Sequence, residues 1–573
     1  MRDTTLSIAI TGAGGAGVIS CGELLLQAWA RAGGRGLLRK AFGPQIRGGE
    51  SAALLKLTAD ETYTPASCYD VLLALDWNNF ARFEDEIRLH PDSWVICDAD
   101  SELPPGLQID PARCCKVPFA RLASDCHPEG RINMLGLGIL GRVLGLEREV
   151  LEQLAARKLS SKPPAYLQAA SACIAGGLAT TVDLSVTLPQ CGTANTWLIS
   201  GNQAAGLGAL QAGVRFVAAY PITPASDVLE YLAGALEPLG GSLVQAEDEL
   251  AAINMTIGAA FGGVPAFTAT SGPGLALMTE SIGLAVASET PVAILDVMRG
   301  GPSTGIPTKS EQSDLNIALH GLHGDAPHLV LAPLNIADCV FTTGWAVQLA
   351  QAAQTAAIVL SDQFLGQSTA IVEEPRQVAT VPAPVTDAGS SADYLRYRLT
   401  ASGISALAAP GDADHRFTAD GLEHNERGTP SARHSDHQQQ LAKRRDKLAA
   451  LDVSDDWARV QGRGDVALLC FGSAFAAVGE AAELLGEAGI ECRTVALRLL
   501  APLCHSALLD AISGCNTLVV IEQNHGAQLY HYLLGEIRFE QAVHSYAEPG
   551  PVPLGAAAIA AAVQDITNSE AVA

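Results

Sequence analysis

Between Tyr220 and Thr308 the chain carries four polar, turn-forming blocks separated by alternating apolar runs and helical stretches. They read Tyr220-Pro221-Ile222-Thr223-Pro224, Ala246-Glu247-Asp248-Glu249, Thr268-Ala269-Thr270-Ser271-Gly272-Pro273-Gly274 and Arg299-Gly300-Gly301-Pro302-Ser303-Thr304-Gly305. Short apolar strands alternating with helices require a mainly parallel sheet, because parallel neighbours are joined through a crossover. In such sheets ligands bind in the loops beyond the carboxyl ends of the strands. One pattern therefore constrains both the fold and the place of its site.

Within the first block two prolines fix φ around Thr223, on a stiffened turn after the strand-like Val214–Ala219. Glu249 opens an uncharged, Ala-rich helical stretch, Leu250–Phe261. A carboxylate there is at ease beside the helix N-terminus while its far side faces apolar neighbours. That setting suits an acid that exchanges a proton with a ligand; the plainer reading is a capping acid. In this order the four blocks resemble the α subunit of a 2-oxoacid:ferredoxin oxidoreductase, most closely the 2-oxoglutarate type.

The resemblance implies an enzyme that cleaves a 2-oxoacid with thiamine diphosphate, forms an acyl-CoA from coenzyme A, and reduces ferredoxin. The family's glutamate that bonds the aminopyrimidine ring starts a helix, which selects Glu249 here, with Glu247 as its rival on the same short segment and Asp248 directed elsewhere. A small residue further along that helix is matched by Gly258. Pro221 belongs to the cofactor-side block. A 2-oxoacid presents a carboxylate beside a ketone, for which a planar bidentate cation is the natural counterpart. Arg299 follows the apolar strand Val292–Val297 and matches the family's substrate arginine. Thr223 and Thr308 match its two threonines, whose hydroxyls suit the carboxylate or the developing oxyanion. Lys309 is a candidate for a distal carboxylate. The structural alternatives are a turn-stabilising hydroxyl for Thr223 and an ion pair for Arg299.

The family's diphosphate grip, G-D-G followed by Asn, is absent: Gly324-Asp325, Gly411-Asp412 and Gly464-Asp465 all lack the next glycine. The resemblance thus implies a β subunit that brings Mg²⁺, the diphosphate site and a [4Fe-4S] cluster, a cofactor site between subunits, and an α₂β₂ assembly. The same reaction run towards carboxylation is open, as are pyruvate and branched or aromatic oxoacids as substrates.

The N-terminal part, 1 to 185, reads as its own α/β domain. Leu6–Thr11 is strand-like, and Gly12, Gly14 and Gly17 satisfy G-x-G-x-x-G before an amphipathic helix, Val18–Ala32. A dinucleotide site also needs an acidic residue after the next strand. Arg35–Lys40 offers Arg35, Arg39 and Lys40 instead, so a nicotinamide-dependent dehydrogenase is the weaker alternative and another phosphate ligand remains open. Phe42 to Ser51 contains Gly43-Pro44-Gln45-Ile46-Arg47-Gly48-Gly49, which resembles the signature of the family's γ domain, here fused ahead of α. That places Arg47 near CoA or a domain boundary, against a plain glycine turn with a local ion pair.

The expected architecture is α/β and multidomain, with three doubly wound parallel-sheet domains. These are a γ-type domain (1–185), a pyrimidine-binding domain (196–375) and a transketolase C-terminal-like domain (461–573). A polar connector (376–460) carries His415, His424, His434 and His437 at no standard metal spacing.

At 573 residues and 48% apolar the chain supports several cores. A formal charge of −25 argues against nucleic-acid or anionic-membrane partners. The 13 cysteines lack any C-x-x-C, which reads as reduced thiols, a cytoplasmic setting and no cluster site on this chain. The short apolar run after Met1 reads as a first strand rather than a signal peptide.

Overall fold

The computed structural model describes residues 5–43, 49–78, 80–107, 109–189, 191–192, 195–306, 309–380, 394–408, 410–412 and 414–572. They form two compact units, Met1–Ser200 with Gln367–Glu374, and Gly201–Gly366 with Pro375–Ala573.

The first unit is built on an eight-stranded sheet in the order Cys114–Val117, Leu89–Asp98, Tyr69–Ala74, Leu6–Gly12, Ser51–Thr58, Arg35–Phe42, Thr369–Val372, Trp197–Ser200. Every residue of Leu6–Gly12 is buried, as a strand covered on both faces requires. The sheet is parallel from Leu6–Gly12 through Tyr69–Ala74 to the Cys114–Val117 edge, and antiparallel across its other half. Trp197–Ser200 and Thr369–Val372, expected in the second domain, join this sheet: Thr369–Val372 pairs with Arg35–Phe42, and Trp197–Ser200 pairs with Thr369–Val372 at the edge. The helices Val18–Arg31, Ile132–Val143 and Pro164–Ala179 cover one face, packing Leu24, Leu25, Leu135, Ile139 and Ile174 onto Ile8 and Ile10.

The second unit contains two sheets. The seven-stranded one runs Leu499–Ala501, Leu329–Leu331, Ala356–Asp362, Val292–Met298, Ala266–Thr270, Phe216–Ala219, Ser242–Gln245. All its pairs are parallel except the first. The five-stranded one runs Ala458–Gly462, Cys492–Leu497, Val466–Phe471, Thr517–Glu522, Ala542–Ala547, parallel but for its first pair. Leu499–Ala501 follows directly on a strand of the small sheet yet pairs with Leu329–Leu331 of the large one, which ties the sheets of this unit together.

The described part of the connector folds into the second unit. Lys443 and Lys447, on the helix His434–Ala449, donate to the fully buried Glu289 at 2.6 and 3.1 Å. Arg396 donates to the Glu289 carbonyl at 2.7 Å. The connector histidines are spread over unrelated contacts: His424 stacks on Tyr397, His437 meets Glu423 and His415 meets Asp412. Among the described residues no His, Cys, Asp and Glu group has the form of a metal site, and no helix is long and apolar enough to cross a membrane.

Candidate functional site

Four adjacent parallel strands of the large sheet end on one edge, and each delivers one of the four blocks. Ser242–Gln245 leads to Glu249, Phe216–Ala219 to Tyr220–Pro224, Ala266–Thr270 to Ser271–Gly274, and Val292–Met298 to Arg299. Parallel pairing brings together stretches as much as 80 residues apart in the chain, which is why blocks dispersed in sequence form one site.

Glu249 is the first residue of the helix Glu249–Phe261 and is 7% exposed. Asp248 is the N-cap, its carboxylate accepting from the Ala251 N–H at 2.7 Å. The orphan amide that Glu249 would otherwise serve is thereby satisfied. No hydrogen bond holds the Glu249 carboxyl among the described residues, so it sits buried and open to a ligand's donor. Glu247 is exposed on the approach to the helix. Gly274 backs Glu249: a Cβ there would overlap Thr270 Oγ1 and stand 2.8 Å from Glu249 Cγ. This close approach is at Gly274 and not at Gly258, which faces outward with nothing within 4 Å of an added Cβ.

Arg299 donates from Nη1 to the Thr223 carbonyl at 2.6 Å, while its Nε is buried without a partner among the described residues. Thr223 is half-buried, and Pro221 is exposed ahead of it. The loop after Arg299 closes on itself: the Gly300 N–H donates to the Lys309 carbonyl at 3.0 Å, and Ile306 N–H to the Gly300 carbonyl at 2.8 Å. Gly305 has φ +73, and a Cβ would collide with the Gly300 carbonyl, so only glycine fits the turn. Thr308 and Pro307 lie outside the described residues.

The small sheet grips the far end of this loop. Gln312 donates from Nε2 to the Phe471 carbonyl at 2.8 Å and exchanges backbone and side-chain bonds with Gln523. Asn524 Nδ2 reaches the Gln312 carbonyl at 3.2 Å, and Gln528 Nε2 the Ser313 carbonyl at 2.8 Å. Sequence reasoning missed this clamp. Its signal, a strand ending in the amide-rich Gln523-Asn524, names no partner.

It also missed Asp296 and Asp314. Asp296 lies within the strand Val292–Met298 at zero exposure, an acid in an otherwise apolar run. Burial, and after it the neighbouring Asp314 carboxyl, push its pKa well up; burial raises Asp314 to about 6. Burial lowers the Arg299 pKa, opposed by the Asp314 charge.

In the N-terminal unit the Gly12–Gly17 turn already holds an anion. Asp76 accepts from the Ala13 N–H at 2.8 Å, and Gly17, at φ +79, packs so tightly on Asn133 that a Cβ would overlap its amide. The strand after the Val18–Arg31 helix pairs antiparallel with Ser51–Thr58 rather than parallel beside Leu6–Gly12. A nicotinamide-dinucleotide fold needs that parallel crossover, so this geometry argues against the dehydrogenase alternative. Gly14 is exposed at the tip of the turn, and Arg47 lies outside the described residues.

The large sheet thus brings a buried carboxylate, Glu249, and a guanidinium, Arg299, to one edge of an α/β protein. Residues 207–443 match the thiamine-diphosphate-binding family model of pyruvate flavodoxin/ferredoxin oxidoreductase, and residues 7–180 match the pyruvate ferredoxin/flavodoxin oxidoreductase model. The chain is 34% identical over 344 residues to the 2-oxoglutarate synthase subunit KorA of Methanothermobacter marburgensis, covering 58% of this chain and 89% of that relative. It is also 34% identical over 389 residues to the 2-oxoglutarate oxidoreductase subunit KorA of Mycobacterium tuberculosis, covering 65% and 59%. Among solved structures it is similar to the 2-oxoglutarate:ferredoxin oxidoreductase of Magnetococcus marinus with 2-oxoglutarate, coenzyme A and succinyl-CoA bound. That match has a TM-score of 0.87 and 32% identity over 98% of this chain and 100% of that one. The chain belongs to the 2-oxoacid:ferredoxin oxidoreductases, as an alpha subunit.

Proposed function

We propose that this chain is the α subunit, with a fused γ-type domain, of a CoA-dependent 2-oxoglutarate:ferredoxin oxidoreductase that releases CO₂, forms succinyl-CoA and reduces ferredoxin. Its active assembly includes a β subunit, as α₂β₂. The observation that carries this reading is the meeting at one sheet edge of Glu249, 7% exposed and in no hydrogen bond among the described residues, with Arg299, whose Nε is buried without a partner among them. The residues fit thiamine diphosphate on the aminopyrimidine side: Glu249 is an acceptor open to a ring N–H, and the Gly274 backing leaves no room for another side chain. When bound, the cofactor supplies a carbanion that adds to a ketone and holds charge as CO₂ leaves.

The chain's own part is to hold and move a proton at the Glu249 carboxyl and to orient the substrate. Arg299 takes the 2-oxoacid carboxylate, and Thr223, with Thr308, offers a hydroxyl to the ketone oxygen. Lys309 is assigned the distal carboxylate that separates 2-oxoglutarate from pyruvate. The name of the M. marinus structure supports that substrate and CoA. Arg47 is the part of the N-terminal unit assigned to CoA phosphates; the Gly12–Gly17 turn, whose Ala13 N–H is taken by Asp76, is left as a structural turn. Mg²⁺, the diphosphate grip and the [4Fe-4S] cluster are assigned to the β subunit, which docks beside Glu249. Leu250, Met255 and Leu277 are 48, 42 and 50% exposed on the helices Glu249–Phe261 and Gly272–Ala287 beside it.

The test is anaerobic viologen reduction by the chain co-expressed with its β subunit, with thiamine diphosphate, Mg²⁺ and CoA. Reduction should need both chains and CoA and run faster with 2-oxoglutarate than with pyruvate. Glu249→Gln should lower turnover by about 10²- to 10⁴-fold without moving the melting temperature. Full turnover in that variant would remove Glu249 from the mechanism, and a preference for pyruvate would reassign the substrate.

A further inference from the structure

Behind Arg299 stand two acids that the roles above do not use. Neither carboxyl oxygen of Asp296 meets a donor among the described residues, and the side chain has no exposure. Asp296 pairs in register with Thr270, two residues before the Gly272 against which Asp314 lies, so its polar neighbour is a second carboxyl, that of Asp314. Asp314 Oδ2 is also buried without a donor. The Asp314 carboxyl lies against Gly272, where a Cβ would stand 2.5 Å from Oδ2, so it is wedged at the start of the helix Gly272–Ala287. An ionised carboxylate with no donor is strongly disfavoured in an apolar interior. Two acids sharing such a site resolve this by holding one proton between them. Asp314 follows Ser313, whose hydroxyl donates to the Arg299 carbonyl at 3.2 Å, so its charge bears on Arg299.

We propose that Asp296 and Asp314 form a proton-sharing pair that makes Asp314 a positioning residue for the substrate, setting how strongly Arg299 holds the 2-oxoacid carboxylate. When Asp314 is ionised its charge, acting through space, weakens the hold of the guanidinium on the substrate carboxylate. When the pair takes up its second proton, Arg299 is left to the substrate alone. Anion binding and proton uptake are therefore coupled: each substrate carboxylate that settles on Arg299 raises the pair's affinity for a proton. The charged groups that bear on Asp314 are Asp296 from its strand and Glu311 and Arg299 from its own loop. The first turn of Gly272–Ala287 carries no acid, and on the other side the nearby Asn316 and Gln528 are neutral. The inference rests on Arg299 as the substrate cation and gives that cation its control.

The experiment measures KM and kcat for 2-oxoglutarate against pH in the assembled complex, for the native protein and for Asp314→Asn, Asp296→Asn and Arg299→Lys. In the native complex KM should rise about three- to tenfold from below pH 6 to above it, as Asp314 ionises, with kcat changing less. Asp314→Asn should keep the low KM at every pH. Asp296→Asn puts an amide donor on Asp314, holds it ionised, and should keep the high KM at every pH. Infrared spectra of the complex at pH 8 should show a protonated-carboxyl band that Asp296→Asn removes. A native KM slope that persists in Asp314→Asn, or the absence of that band, overturns the pair. Should Asp314→Asn fail to fold, a native slope persisting in Asp296→Asn overturns it equally. A native KM in Arg299→Lys instead overturns Arg299 as substrate cation. A raised KM there with an unchanged slope in Asp314→Asn sinks the pair alone.

Discussion

Glu289 and Asp296 lie seven residues apart, both at zero exposure, and their surroundings are opposite. Glu289 has two lysines on its carboxylate and an arginine on its carbonyl. Against the cost of burial, Lys447, Lys443 and Arg396 hold its pKa down to about 2. Asp296 has no donor among the described residues and another acid for a neighbour, and its pKa goes up. The first arrangement anchors the connector, because a buried charge that is fully paired is hard to release. The second, on the proposal above, stores a proton beside Arg299. Burial alone therefore says little about an acid's task; the donors around it decide.

The comparison breaks most visibly at Glu289. Glu289→Gln leaves Lys443 and Lys447 buried without their counter-charge and should cost about 3–5 kcal/mol of stability, read by chemical denaturation. Asp296→Asn should cost under about 1.5 kcal/mol, because its amide can donate to Asp314. Equal losses would erase the distinction.

Acid should sharpen it. The folded-state pKa of Glu289 is depressed, so its contribution is present above about pH 4.5 and is lost as pH falls towards 2. Asp314 is raised to about 6, so its contribution is full below about pH 4 and is lost as pH rises through 6. Denaturation midpoints for Glu289→Gln should therefore be flatter than native between pH 5 and 3, and those for Asp314→Asn flatter between pH 4 and 7.

The smallest effect tests the same contrast at adjacent positions. Asp248 caps the helix, and Glu249 has no hydrogen bond among the described residues. Asp248→Ala should lower stability by about 1 kcal/mol, measured by thermal melting, whereas Glu249→Gln should leave it unchanged. A stability loss in the second variant as large as in the first would make Glu249 a structural acid.

The four blocks were legible because each is local: prolines about Thr223, an acid at a helix start, glycines where Gly305 must adopt positive φ, and an arginine after an apolar strand. Strands such as Val466–Phe471 and Thr517–Glu522 were legible for the same reason, as apolar runs ending in turns. Pairing partners were not. Trp197–Ser200 and Thr369–Val372 look like any other short strands, and nothing in them specifies that Thr369–Val372 joins Arg35–Phe42 and carries Trp197–Ser200 at the edge. The antiparallel half of the first sheet, which separates the Gly12–Gly17 turn from a dinucleotide fold, was hidden equally.

The sequence by itself determined the alternation of strand and helix, the chemistry at the strand ends, and so the family's site on one sheet edge. Only the tertiary structure decided which acid is capped and which is open, that Gly274 rather than Gly258 makes the close approach, and that Asp296 meets Asp314. The reason is physical. Turns and caps are fixed by dihedral preferences and hydrogen bonds within a few residues, whereas the protonation and partners of a buried acid depend on donors brought to it from distant parts of the chain.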